Sequence, residues 1–150
     1  RISLINPELA PELDTQLVQL LVDAALEADD LDKQQVNVML VDSKESAELH
    51  RIHFDDPHET DVMSFPDNSE DFESGCTHLG DLAVCVDVAK NIASQRNAPY
   101  TDEVLLYIIH GLLHLLGYDD IDADDRQEMW DLQRKYLALI NISIEERPDQ

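Results

Sequence analysis

Residues 110–120 read His110-Gly111-Leu112-Leu113-His114-Leu115-Leu116-Gly117-Tyr118-Asp119-Asp120, and the rest of the chain reads as scaffolding around them. Histidines four residues apart on a helix stack on one face, about 5–6 Å apart at Cβ. The helix implied around them is apolar nearly all the way round, through Val104, Leu105, Leu106, Ile108, Ile109, Leu112, Leu113, Leu115 and Leu116. Such a helix is buried rather than amphipathic. Gly117 stands where a left-handed residue stops a helix and turns the chain back. A carboxylate from the residues that follow can then return to the two imidazoles. Two nitrogens and an oxygen on a rigid helix and its exit turn make an open divalent-metal site, with a fourth position left for water. The competing assignment is a pair of ordinary core histidines. Even these need partners, because burying an unpaired polar group costs about 1–3 kcal/mol.

Outward from that helix, the elements follow from period and punctuation. Thr101 is expected to cap it, with Asp102 and Glu103 at its positive end. Ile2 and Leu4 suggest a short first strand, ended by Asn6-Pro7. Leu13, Leu17, Leu20, Leu21, Ala24 and Ala28 share one helical stripe, which predicts an amphipathic helix over 12–28. The valine-rich run 36–41 predicts a buried strand. Asp42 with Glu45 three residues on is a capping-box pattern, starting a short helix through about Ile52. Val62–Phe65 reads as a brief strand, and 66–78 as a mobile acidic loop. Leu79–Val86 resumes as a strand, with Asp87 expected to cap a helix to about Arg96. A last helix over 123–140 is expected to bury Met129, Leu132, Tyr136, Leu137 and Ile140, leaving a frayed tail. That order predicts an α+β fold: a single domain over residues 1–150, with a mixed sheet of about four strands covered by helices.

Composition narrows the class. A chain of 150 residues can bury roughly 70% of its unfolded surface. No run is long and apolar enough for a membrane span, and the first residues show no apolar signal segment. Two cysteines, Cys76 and Cys85, with Cys85 in an apolar strand, point to a buried free thiol and a reducing cytoplasm. Ten basic residues against 33 acidic ones give a net charge of −23, which repels nucleic acid at long range. An acid-rich solvated surface, as in salt-adapted proteins, is the expected reading of that charge.

The stretch His110 to Asp120 resembles the HGxLHLxGYDH signature of the bacterial YbeY family of metal-dependent endoribonucleases. Thr60-Asp61-Val62-Met63-Ser64-Phe65-Pro66 is similar to that family's TDVLSFP segment, and Leu79-Gly80-Asp81-Leu82-Ala83-Val84-Cys85 to its LGDIVIC strand. The resemblance implies an α+β fold with the metal helix packed on the sheet and a cleft beside it. It also implies one Zn2+ held by His110, His114 and Asp120, and hydrolysis of phosphodiesters in single-stranded RNA by metal-activated water. The implied setting is ribosomal RNA maturation, including the 3′ end of 16S rRNA, and ribosome quality control, with small-subunit ribosomal proteins as partners. Two positions depart from the pattern. Asp120 stands where the family has histidine, a change that also admits manganese or iron. Phe54 stands where the family often has arginine. Phenylalanine cannot grip a phosphate bidentately; core packing is its expected job, and stacking on an unpaired base the alternative.

No general base is evident from spacing. The possible helpers are Asp81, Asp119 and Ser64. Asp119 is expected as a turn residue or as a partner holding a ligand. Asp81 is expected to hold a strand end or a histidine, and Ser64 to pack against a helix. His50, His53, His58 and His78 read as surface histidines, and Arg51, Lys44, Lys90 and Arg96 are the remaining candidate phosphate contacts. Gly111 occupies the place where HExxH zinc peptidases carry a glutamate base, which counts against peptide hydrolysis. A metallohydrolase of another substrate and a weakly catalytic ribosome-binding protein are the competing functions.

Overall fold

A computed structural model of the chain describes residues 2–31, 34–55, 60–71 and 76–145. The element order is β1 (Ile2–Ile5), a single 3-10 turn (Pro7–Leu9), α1 (Thr15–Ala28), β2 (Gln34–Val41), α2 (Ser43–Phe54), β3 (Val62–Asp71), β4 (Cys76–Cys85), α3 (Val86–Arg96), α4 (Tyr100–Leu115) and α5 (Ala123–Leu139). The strands form one mixed sheet in the order β1-β2-β4-β3. β1, β2 and β4 run parallel, and β3 returns antiparallel along the β4 edge. This is the α+β layering the sequence predicts.

Side-chain alternation divides the sheet into two faces. Val36, Val38, Leu40, Leu82 and Val84 are fully buried on the face that α4 covers. Gly111 makes the close approach possible. A Cβ there would come within 2.9 Å of Leu82 and of Val62, so only a bare backbone lets the helix lie this near the strands. α4 is also flanked by α1, α3 and α5. Its Val104, Leu105, Leu106, Ile108, Ile109, Leu112 and Leu113 are all 2% exposed or less, as its all-round apolar sequence requires. Each such side chain contributes about 1.5–3 kcal/mol by leaving water. The other face of the sheet carries α2, where the His53 ring packs on Phe65 at 4.7 Å between centroids.

Four sequence expectations need correction. The first helix begins at Thr15, not residue 12, because Asp14 accepts from the Gln16 amide and caps it there. The N-cap of α4 is Pro99, and Thr101 lies inside the first turn; proline's fixed φ suits the extended cap conformation. Asp87 does not cap its own helix. β2 and β4 end side by side, Val41 opposite Cys85, so the starts of α2 and α3 are neighbours. The Asp87 carboxylate therefore accepts from Ser43 N at 2.8 Å, beside Asp42 accepting from Glu45 N at 2.8 Å. Finally, the expected loop over 66–78 is strand in its described residues, 72–75 lying outside them. Residues 66–71 and 76–78 prolong β3 and β4, with a register shift between Pro66 and Ser69. Proline and acids are tolerated there because β3 is an edge strand, where a missing N–H breaks no ladder on the open side.

Candidate metal centre

The chain geometry that ends α4 also builds the site. Gly117 adopts φ +99°, its N–H bonds the His114 carbonyl at 3.1 Å, and Tyr118 N–H bonds the Leu113 carbonyl at 3.0 Å. This is the Schellman arrangement, and it folds the exit segment back over the last turn. The Tyr118 carbonyl thereby comes to 3.2 Å from His114 Nδ1. A carbonyl only accepts, so Nδ1 of His114 carries the proton. His110 Nδ1 lies 2.7 Å from the Gln133 side-chain oxygen, which places its proton on Nδ1 as well. Gln133 is buried on α5, at 2% exposure.

Both Nε2 atoms are thus left with lone pairs, and they face each other at 3.2 Å. Asp120 Oδ2 lies 3.5 Å from His114 Nε2 and 3.7 Å from His110 Nε2. One ligand atom from each of the three residues falls within 4.8 Å of the others. Two lone pairs and a carboxylate converging on one point repel one another unless a cation sits among them. Nitrogens bound to a tetrahedral zinc at about 2.0–2.1 Å stand about 3.3–3.4 Å apart, close to the spacing seen. Each imidazole donates its other N–H to an oxygen, as metal-ligating histidines do. The residues fit a single divalent cation.

The other sequence candidates fall elsewhere. Asp119 is exposed, and its carboxylate accepts from Asp120 N at 3.0 Å, shaping the turn that aims Asp120. Ser64 donates to the Gly111 carbonyl at 3.0 Å, joining β3 to α4. Asp81 is not brought to the triad. It lies on the far face of the sheet, accepting from Asn37 Nδ2 at 3.0 Å and pairing with His78 Nε2 at 3.0 Å. His58 lies outside the described residues.

Beside the triad is a cleft of about 340 Å³ between α2 and α4, floored by the edge strand β3. His110 and His114 line it from α4, and His50 and Phe54 from α2. Phe54 is 53% exposed, so core packing is not its job. Asp61 also lines this cleft, its carboxylate accepting from Val62 N at 2.7 Å. None of Arg51, Lys44, Lys90 and Arg96 lines it. Arg51 is paired with Glu48 at 2.5 Å, and the Lys90 ammonium lies over the Tyr100 ring at 5.1 Å. Two residues near the triad were not singled out by sequence. Gln133 left a signal, a polar residue in the apolar stripe of α5. Arg126, which lines a crevice with His110 and Asp120 and donates to the Ile121 carbonyl at 2.8 Å, left none.

Residues 6–141 match the model of a protein family described as endoribonuclease YbeY. The chain belongs to the YbeY endoribonuclease family. A YbeY endoribonuclease of Clavibacter michiganensis subsp. michiganensis is 36% identical over 149 residues, covering 95% of this chain and 96% of that one. One from Thermobifida fusca is 39% identical over 117 residues, covering 75% of this chain and 76% of its own. The solution structure of a Thermotoga maritima protein superposes with a TM-score of 0.62 at 27% identity, covering 100% of this chain and 99% of that one. YbeY membership places the chain among RNA-processing hydrolases. Among the described residues, no helix is long and apolar enough to cross a membrane.

Proposed function

We propose that the chain is a metal-dependent, single-strand-specific endoribonuclease of ribosomal RNA maturation, with His110, His114 and Asp120 holding one Zn2+. The observation that carries the metal assignment is the tautomer pattern: both Nδ1 atoms are committed to oxygens, so both Nε2 lone pairs point into one space. When bound, the cation supplies Lewis acidity toward a phosphoryl oxygen and lowers the pKa of a water toward about 7. The chain's own groups do the rest. Gln133 and the Tyr118 carbonyl hold the two rings in the ligating orientation, and the half-buried Asp120 closes the third side. The cleft along β3 positions the strand to be cut, and Asp61 is the acidic residue among its described lining.

Family membership supports RNA as substrate; processing of the 16S 3′ end, ribosome quality control, small-subunit protein partners and a cytoplasmic setting follow from the family resemblance. Peptide hydrolysis by the HExxH route is disfavoured by packing. A Cβ at position 111 would meet Leu82 and Val62 at 2.9 Å and Ser64 at 3.2 Å, so a side chain there collides with the sheet. The test is elemental analysis of the purified chain and of His114→Ala, with each incubated with single-stranded RNA and unfolded peptide. Stoichiometric zinc and RNA cleavage in the parent, both lost in the variant, are expected. Peptide cleavage without RNA cleavage would overturn the nuclease assignment. A parent without stoichiometric metal would leave the binding-protein reading.

A further inference from the structure

This inference rests on the endoribonuclease reading and concerns how so acidic a chain holds its substrate. The net charge is −23, and no lysine or arginine among the described residues lines the cleft. Ion pairing with phosphates is therefore a weak source of affinity inside it. What the cleft does offer is aromatic surface. Phe54 is the one aromatic among the exposed large apolar side chains of the described residues. His50, one turn earlier on α2, sets its ring 5.1 Å from the Phe54 ring, tilted by 37°. Both rings line the same cleft as His110 and His114.

The two rings stand on a fixed support. Ser46 is fully buried and bonds Thr60 twice, donating to its carbonyl at 3.0 Å and accepting from its N–H at 3.1 Å. His53 packs on Phe65 on the adjoining side of the helix. Asp42 and Asp87 both cap its N-terminus, and Asp55 ends it in the left-handed conformation at φ +55°. α2 is thereby tied to the segment leading into β3, at the start of the cleft floor.

We propose that Phe54 and His50 form a stacking shelf for an unpaired base of the nucleotide next to the phosphodiester held at the His110–His114–Asp120 triad. Stacking needs no positive charge and tolerates any base, so it suits an acidic cleft. A base inside a duplex has both faces covered and cannot reach the shelf, which makes single-strandedness the property selected.

Stacking of one base on an aromatic ring is worth roughly 5- to 150-fold in affinity. With the metal-loaded full chain, Phe54→Ala should raise KM for single-stranded RNA about tenfold, most of the loss falling on KM, while metal content stays that of the parent. Phe54→Trp should restore KM. An RNA carrying one abasic nucleotide beside the cleavage position should cost the parent the same factor and cost Phe54→Ala nothing further. A single-stranded oligonucleotide bearing 2-aminopurine should be quenched by the parent and not by Phe54→Ala, a readout that needs no cleavage. Quenching by a parent that cleaves no RNA would remove the nuclease reading and leave the shelf. Unchanged KM and quenching in Phe54→Ala, or an equal penalty for the abasic RNA in both proteins, would overturn the shelf. So would loss of metal in Phe54→Ala, which would make the residue a structural support.

Discussion

Among the described residues two clusters of histidine and aspartate stand out, one on each face of the sheet, and their ring nitrogens are used in opposite ways. At the α4 exit, each ring gives its Nδ1 proton to an uncharged oxygen and leaves Nε2 facing Asp120. On the far face, His78 is held from both ends, Nδ1 to Asp67 at 3.1 Å and Nε2 to Asp81 at 3.0 Å. Each nitrogen of that one ring faces a different carboxylate, so ring and acids do not converge on one point as they do at the triad. Proximity of histidine to carboxylate is thus a poor marker of a metal site; the fate of the second nitrogen separates a ligand from an ion-paired side chain.

The largest test of that contrast is deletion of one ring on each face. His114→Ala should lose stoichiometric metal and cut RNA cleavage by about a thousandfold or more, and the parent's melting temperature should fall on chelation while the variant's stays put. His78→Ala should keep both metal and cleavage, and cost no more than about 1 kcal/mol in denaturant unfolding, as for a partly exposed ion pair. Next in size is Gln133→Leu, which takes away the acceptor that orients His110. Metal affinity should drop about 10- to 100-fold in a competition titration, with the three proposed ligands intact. Unchanged affinity would show that α4 alone orients the ring. Asp120→His should then sharpen preference for zinc over manganese, read by competition, because it trades a hard oxygen for imidazole.

The smallest effect concerns a group with no metal at all. Burial pushes the Cys85 thiol above its usual range, against the smaller opposing pull of the nearby Val88 and Asp87 amides and the Ser43 hydroxyl. The folded state therefore keeps its proton longer than the unfolded chain. The stability tied to this proton is level below pH about 9 and declines as pH rises beyond it. In a Cys76→Ser background, a thiol reagent at pH 8 should label Cys85 only after denaturant is added. Prompt labelling of the native chain would show that the sheet face under α2 opens readily.

How far these features could be read in advance depended on range. Gly117 and the helix it ends were legible because a left-handed stop and a 3.6-residue period are properties of one short segment. The β3–β4 pairing beyond Pro66 was not, since residues 66–71 and 76–78 show no alternation and take their strand form from pairing along an edge. Asp87 illustrates the same limit: its position next to a helix start was visible, but the helix it caps lies 44 residues upstream.

The sequence by itself determined that His110 and His114 share a helical face, that Gly117 turns the chain back, and that an aspartate follows within reach. Backbone geometry within a single turn dictates each of these. Only the tertiary structure decided that Gln133, 23 residues away, receives the His110 proton, that Asp81 faces away from the triad, and that Phe54 stands in the cleft instead of the core. Those outcomes depend on which faces of sheet and helix meet, and that choice is made by burying the whole apolar surface at once, not by any local run of residues.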